Sequence, residues 1–292
     1  MDTTELIKKV RKIEIKTRGI SNQLFTGHYH SAFKGRGMAF TEVREYYFGD
    51  DIRNIDWNVT ARFNHPYVKV FEEERELTVM LLIDISGSNE FGASGRIKEQ
   101  VITEIAAVLS FSAINNNDKV GVIFFSDQIE KFIPPKKGTA HILRIIRELI
   151  DFKPLHKKTD IANALKYFRN VIKKRSVAFL ISDFQDTAYA EALSIVARKH
   201  DIICLRVFDN RETELPNLGL IKLRDAETGR AYWLDSSGKD IRQKISDYNQ
   251  QQKIYMQAAF AKAGVDSVVI PTHTDYIPPL MRLFKKRSQL KH

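Results

Sequence analysis

Cysteine is nearly absent from this sequence: Cys204 is the single one in 292 residues. One thiol cannot close an internal disulfide, so the disulfide-stapled secreted folds are excluded and a reducing compartment fits. Its setting, the apolar run Ile202-Ile203-Cys204-Leu205-Arg206-Val207, marks it as a small core residue rather than a reactive thiol. Long hydrophobic runs are absent too. No stretch approaches the roughly 18 to 20 consecutive apolar residues of a membrane-spanning helix, and the run Val79 to Ile83 has only strand length. The start, Asp2-Thr3-Thr4-Glu5, lacks the basic-then-apolar order of a signal peptide. A cytoplasmic location is therefore expected. There is also no internal repeat and no low-complexity linker.

What is present suits one large α/β domain with an accessory segment, or at most two domains. Hydrophobic residues make up 43%, enough for a sizeable core, and charged residues 28%, which rules out a disordered chain. The net charge of +10 invites a nucleic-acid or anionic-membrane reading. Its distribution weighs against nucleic acid. The basic residues sit near the ends (Lys8-Lys9, Arg11-Lys12, Lys285-Lys286-Arg287) and in short clusters such as Lys173-Lys174-Arg175, without interleaved aromatics.

The chain changes character near residue 77. Before it, Leu6, Ile7, Val10, Ile13 and Ile15 give a helical pattern ended by Gly19, and the Gly35-Arg36-Gly37 stretch reads as a loop. Phe40 to Phe48 and Tyr67 to Glu76 look extended, around a turn at Gly49-Asp50-Asp51. After it, Leu77 to Ile83, Val120 to Phe125, Val177 to Ile181 and Ile202 to Val207 are apolar strands. They alternate with helical stretches at 96–114, 139–151, 160–173 and 188–198. Two short strands, 219–224 and 231–234, precede a long polar helix at 239–262 and a strand at 267–270. Such alternation predicts an α/β fold: a Rossmann-like doubly wound, mostly parallel sheet with an N-terminal accessory segment. The predicted organisation is 1–76 as that segment, 77–272 as the main domain and 273–292 as a basic C-terminal tail.

Ligands bind such sheets beyond the carboxyl ends of the strands, at the switch point. Three pieces fall there: Asp84-x-Ser86-x-Ser88, directly after a buried strand; Lys158-Thr159-Asp160, at a helix start; and Ser182-Asp183, ending another buried strand. Carboxylates from Asp84 and Asp183 and hydroxyls from Ser86, Ser88 and Thr159 are hard oxygen donors, suited to Mg²⁺, Mn²⁺ or Ca²⁺ rather than Zn²⁺. With two carboxylates and neutral hydroxyls, the ion keeps positive character and attracts an outside carboxylate. That is binding chemistry.

The order DxSxS, then Thr, then Asp resembles the metal-ion-dependent adhesion site of von Willebrand factor A-like domains. Upstream, Arg44-Glu45-Tyr46, Gly49-Asp50-Asp51, Arg53, Ile55-Asp56-Trp57 and Ala61-Arg62 resemble the signature of a bacterial family numbered fifty-eight among domains of unknown function. Tyr67 to Glu74, Leu215-Pro216, Asp225 and Glu227-Thr228-Gly229 extend the likeness. The resemblance implies a von Willebrand factor A-like fold, a metal held by Asp84, Ser86, Ser88, Thr159 and Asp183, and a protein ligand with an acidic group. It also implies a MoxR-type AAA+ ATPase as partner, in a chaperone-like or assembly role, because such proteins are commonly encoded together. Two features depart from it: Asn89 stands where many relatives have Met, and longer relatives carry membrane helices.

Plainer readings stand beside these. A strand-end Asp followed by serines also serves as a turn and helix cap. Arg44, Gly49, Asp50, Asp51, Arg53, Asp56, Trp57 and Arg62 read either as a docking surface or as an ion-pair network with Trp57 packed beneath. His28-x-His30 lacks a third soft ligand for zinc. His65, His141, His156 and His200 read as surface residues. An enzyme reading, a Mg²⁺-dependent phosphohydrolase with Asp84 as nucleophile, needs a second acid two residues on, and that position is Ser86. The fold class therefore points to a non-enzymatic interaction module.

Overall fold

The apolar runs at 79–83, 120–125, 177–181 and 202–207 lie side by side in one sheet. In the computed structural model, residues 8, 10, 11, 13, 14, 17, 39–72, 76–90, 98–213, 216–224 and 229–289 are described. The chain divides into two compact units, Lys34–Leu77 and, separately, Met1–Phe33 with Thr78–His292.

The smaller unit is an antiparallel pair, β1 (Ala39–Glu45) and β2 (Tyr67–Glu72), bulged between Phe40 and Glu42. Between the strands run a 3₁₀ turn, Ile52–Asn54, and helix α1, Trp57–Phe63. Asp51 caps the turn by accepting from Arg53 N, and Asp56 caps α1 by accepting from Asn58 N and Val59 N. Asn64 takes the left-handed conformation that closes α1, and Asn tolerates it better than most residues.

The larger unit carries β3 (Thr78–Asp84), α2 (Lys98–Asn115), β4 (Lys119–Phe125), β5 (Ile129–Lys136), α3 (Thr139–Asp151), α4 (Ile161–Val171), β6 (Val177–Ser182), α5 (Ala190–Ala197) and β7 (Asp201–Phe208). A hairpin of β8 (Leu220–Arg224) and β9 (Ala231–Asp235) follows, then α6 (Lys239–Ala263), β10 (Asp266–Pro271) and α7 (Ile277–Gln289). Its six-stranded sheet runs β10-β7-β6-β3-β4-β5, parallel throughout except for β5, which is antiparallel to β4. Read from β5, the six strands in chain order are 3-2-1-4-5-6, the doubly wound arrangement that the sequence predicts.

Alternation within each strand divides the core between the two faces. Met80, Leu82, Ala178, Leu180, Ile202 and Cys204 pack with α4, α5 and α6 in one apolar cluster. On the other side Ala107 and Phe111 of α2 meet Ile142 and Ile146 of α3, and Val10 and Ile13 pack against them. Helix α2 is buried on almost every side from Val101 to Ala113, so its sequence shows little amphipathic stripe. At Gly121 the chain bulges against β5, and an added Cβ would lie 2.7 Å from Met80 Sδ and 2.9 Å from Pro135 N.

Two expectations shift. The segment read as a basic tail carries α7, whose Leu280, Leu283 and Phe284 are buried, with Phe284 edge-on to Phe179 of β6. Arg287 binds Asp266 Oδ2 at 2.6 Å and also pairs with Asp201. Basic side chains at 285 and 286 remain on its outer side. His200 is a buried residue, not a surface one: its Nδ1 lies 2.9 Å from Ser176 Oγ and its ring 4.5 Å from that of Phe168. The polar neighbours Lys199 and Asp201 hide this in the sequence.

Candidate functional site

Strand β3 delivers Asp84 to the carboxyl end of the sheet. Ile83 registers with Ile181 of β6, so Asp84 falls beside Ser182, and Asp183 follows at the end of the neighbouring strand. Asp84 and Asp183 are each only 1% exposed. This is the switch point, since chain connections leave β3 toward β4 on one side and reach β6 on the other.

The Asp84 carboxylate is held from two sides. Oδ1 accepts from Ser86 N at 2.9 Å and Oδ2 from Ser182 Oγ at 2.6 Å. Burial, with Asp183 adding like-charge repulsion, pushes Asp84 up to about 6, against the lowering effect of those donors. Ser182 Oγ in turn accepts from Phe184 N at 3.0 Å, and Asp183 Oδ1 from Gln185 N at 3.3 Å. Phe184 adopts φ 57°, a left-handed conformation that a non-glycine residue keeps only when its surroundings enforce it. Here Phe260 and Tyr189 do so, with ring centroids 5.0 and 5.8 Å away.

Ser86 and Ser88 turn their hydroxyls toward each other, 3.1 Å apart. Gly87 N donates to Lys157 O at 2.9 Å, which ties this loop to the segment before α4. Thr159 lies half-buried in that segment. Asp160 is anchored on Ser126 O and caps α4 through Asn163 N, while Ile161 N donates to Asp186 Oδ2. The structure thus brings Asp84, Ser86, Ser88 and Asp183 together; Thr159 lies two residues beyond Lys157, where the serine loop is tied, with no hydrogen bond from its hydroxyl to the others.

Two residues at the site escaped the sequence reading. Lys98, at the start of α2, puts its ammonium 3.0 Å from Asp183 Oδ2 and is 0% exposed. Arg206 of β7 donates from Nε to the Asp183 carbonyl at 3.3 Å, its guanidinium 4.9 Å from the Phe208 ring centroid. Nothing in the sequence marks Lys98, since Glu99 and Gln100 beside it in the first turn of α2 are exposed. The signal for Arg206 was its position inside a buried strand.

By type, two carboxylates and two hydroxyls suit a hard divalent ion. Among the described residues no three His, Cys, Asp or Glu side chains converge, so such an ion would depend on hydroxyl and water oxygens. The charge balance differs from expectation, because Lys98 already compensates Asp183. A cleft of about 420 Å³ opens beside Asp84 and Ser86, lined also by Ile102, Thr103, Phe152 and Lys157. A second, of about 400 Å³, lies between Ser88, Asp183 and Gln185 and the α6 residues Lys244, Tyr248 and Asn249.

The upstream signature lies in the smaller unit. Arg44 grips Asp50 through both guanidinium nitrogens at 2.7 and 2.8 Å, and Tyr47 N adds a third donor. This holds Asp50 below the usual carboxylate range. Asp56 pairs with Lys69 at 3.6 Å, and neither it nor Asp50 pairs with Arg53 or Arg62. The predicted network is thus narrower, because the Asp51 and Asp56 carboxylates serve as caps. Trp57 is 67% exposed rather than packed beneath, as are Phe48, Ile52 and Phe63 to similar or greater extent. Gly49 takes φ 110°, which only glycine adopts readily. Residues 28, 30, 74, 215 and 225–228, also part of the sequence reading, lie outside the described residues.

A family model described as "Protein of unknown function DUF58" matches residues 42–255. Uncharacterized protein Rv1480 of Mycobacterium tuberculosis is 29% identical over 294 residues, covering 99% of this chain and 92% of its own. Among solved structures, conserved hypothetical protein BatB from Bacteroides thetaiotaomicron aligns with a TM-score of 0.48 at 16% identity, over 73% of this chain and 99% of its own. The VWA domain of SpRpn10 aligns with a TM-score of 0.44 at 12% identity, over 72% and 95%.

Proposed function

The chain belongs to the DUF58 family, and we propose that it is a protein-interaction module of von Willebrand factor A type that captures an acidic group of a partner protein through a divalent ion. The ion, Mg²⁺, Mn²⁺ or Ca²⁺, would be held by Asp84, Ser86, Ser88 and Asp183, with Thr159 closing the shell. A MoxR-type AAA+ ATPase is the proposed partner, in a chaperone-like or assembly role. The observation that carries this reading is the convergence of two buried carboxylates and two facing hydroxyls at the switch point of the sheet.

When bound, the ion supplies a Lewis-acidic seat for an outside carboxylate. The protein's own residues do the rest. Ser182 and the Ser86 amide orient Asp84, Phe184 sets the course of the chain after Asp183, and the Gly87 to Lys157 hydrogen bond fixes the serine loop. The chemistry favours binding over turnover. Ser86 cannot serve as a general acid at neutral pH, where a phosphohydrolase using Asp84 would need one.

Capture of the purified ATPase on immobilised protein tests the proposal. Binding should need Mg²⁺ or Mn²⁺, disappear in EDTA and in Asp84→Ala, and change little as salt rises. Binding that survives Asp84→Ala but collapses with salt would replace it with an anionic-surface function of the basic residues.

A further inference from the structure

We propose that Lys98 is the resident cation of this site: its ammonium occupies the position on Asp183 that a divalent ion needs, so metal binds only by displacing it. The inference rests on the metal-site reading above and adds its regulation. It is carried by the ion pair of Lys98 Nζ with Asp183 Oδ2 at 3.0 Å, in which both side chains are sealed from solvent.

A lysine is almost never fully buried unless paired, and Asp183 sits beside a second buried carboxylate, Asp84. Without a counter-charge the two acids would share a dry corner at the strand ends. Lys98 supplies that charge from a helix 85 residues away in sequence, and Asp183 Oδ2 is its acceptor. Arg206 donates from Nε to the Asp183 main-chain carbonyl. The other Asp183 oxygen takes Gln185 N, while Asp84 is met by Ser86 N and Ser182 Oγ.

A divalent ion arriving at Asp183 would share one carboxylate with an ammonium. Out of water, like charges at such spacing repel strongly, so both cannot stay. The four-carbon stem of lysine allows the ammonium to swing away, and the energy of breaking its pair is subtracted from metal affinity. The site therefore rests in a metal-free, charge-compensated state and opens its metal seat when Lys98 leaves Asp183.

Isothermal titration of the full chain with Mn²⁺, paired with melting curves, tests this on wild type, Lys98→Met, Lys98→Arg and Asp84→Ala. Lys98→Met should bind Mn²⁺ at least about tenfold more tightly than wild type, since the competing charge is gone. Lys98→Arg, which keeps a cation, should stay as weak as wild type. Lys98→Met should also melt lower than wild type without metal and gain more from Mn²⁺. If Lys98→Met does not fold, Lys98→Gln retains an amide donor for Asp183 and replaces it in the comparison. Equal Mn²⁺ affinity in wild type and the neutral variants would overturn the role of Lys98 and leave the metal site standing. Absence of binding by every variant at millimolar Mn²⁺ would overturn both.

Discussion

His200 sits 2% exposed between Phe168 and Ser176, and burial pushes its imidazole down to about 4. The unfolded chain takes up a proton near pH 6.5 while the folded one resists until about 4. This contribution to stability is therefore present above pH 6.5 and lost progressively as pH falls toward 4, to a limit of about 3 kcal/mol. Urea midpoints at pH 7 and pH 5 should separate more for wild type than for His200→Phe; equal separations would contradict the assignment. Ser182 is a second small residue with a large role, because its hydroxyl serves both Asp84 and the strained Phe184. Ser182→Ala should cost about 2 kcal/mol in urea unfolding, as it leaves a buried carboxylate short of a donor. That Asp84, Ser86, Ser88 and Asp183 meet at one edge of the sheet was legible in the sequence, because each follows an apolar run that reads as a parallel strand. Lys98 and His200 were not. Each looks like one more polar residue near a helix end, and only the packing of neighbouring elements shows that it has no route to water.

At the scale of elements, β3, β4, β6 and β7 were read nearly to the residue, since a strand buried on both faces must be apolar throughout. α7 was harder to read. Its apolar positions 280, 283 and 284 are diluted by basic ones, so the segment resembles a solvated tail until the sheet edge is in place. Its last turn pins the starts of β7 and β10 through Arg287, Asp201 and Asp266. Arg287→Ala should lower stability by about 2–3 kcal/mol, the acids being only partly shielded from water. A change under about 0.5 kcal/mol would mean that α7 is held by Leu280, Leu283 and Phe284 alone. At the bulge between β4 and β5, Gly121→Ala should lose about 2 kcal/mol or more, because the new Cβ meets backbone that cannot retreat.

At the scale of the whole molecule, the doubly wound sheet is what brings together residues 84 and 183, which lie about a hundred positions apart. Parallel strands all end on one edge, and the reversal of winding at β3 leaves that edge uncovered by a crossover. No described helix is long and apolar enough to cross a membrane. The exposed aromatic residues of the smaller unit, Phe48 and Trp57 among them, have no explanation in its own packing, and sequence could not foretell that they lie outside. The claim on which the functional account depends is that the Asp84 corner takes a divalent ion. The most direct test is the melting temperature of wild type and Asp84→Ala with and without millimolar Mn²⁺. A ligand that binds only the folded state adds about 1.4 kcal/mol at ten times its Kd, a rise of roughly 2–3 °C for a chain of this size. Wild type should show that rise and Asp84→Ala none; no rise in wild type, or an equal rise in both, would contradict a divalent ion at Asp84.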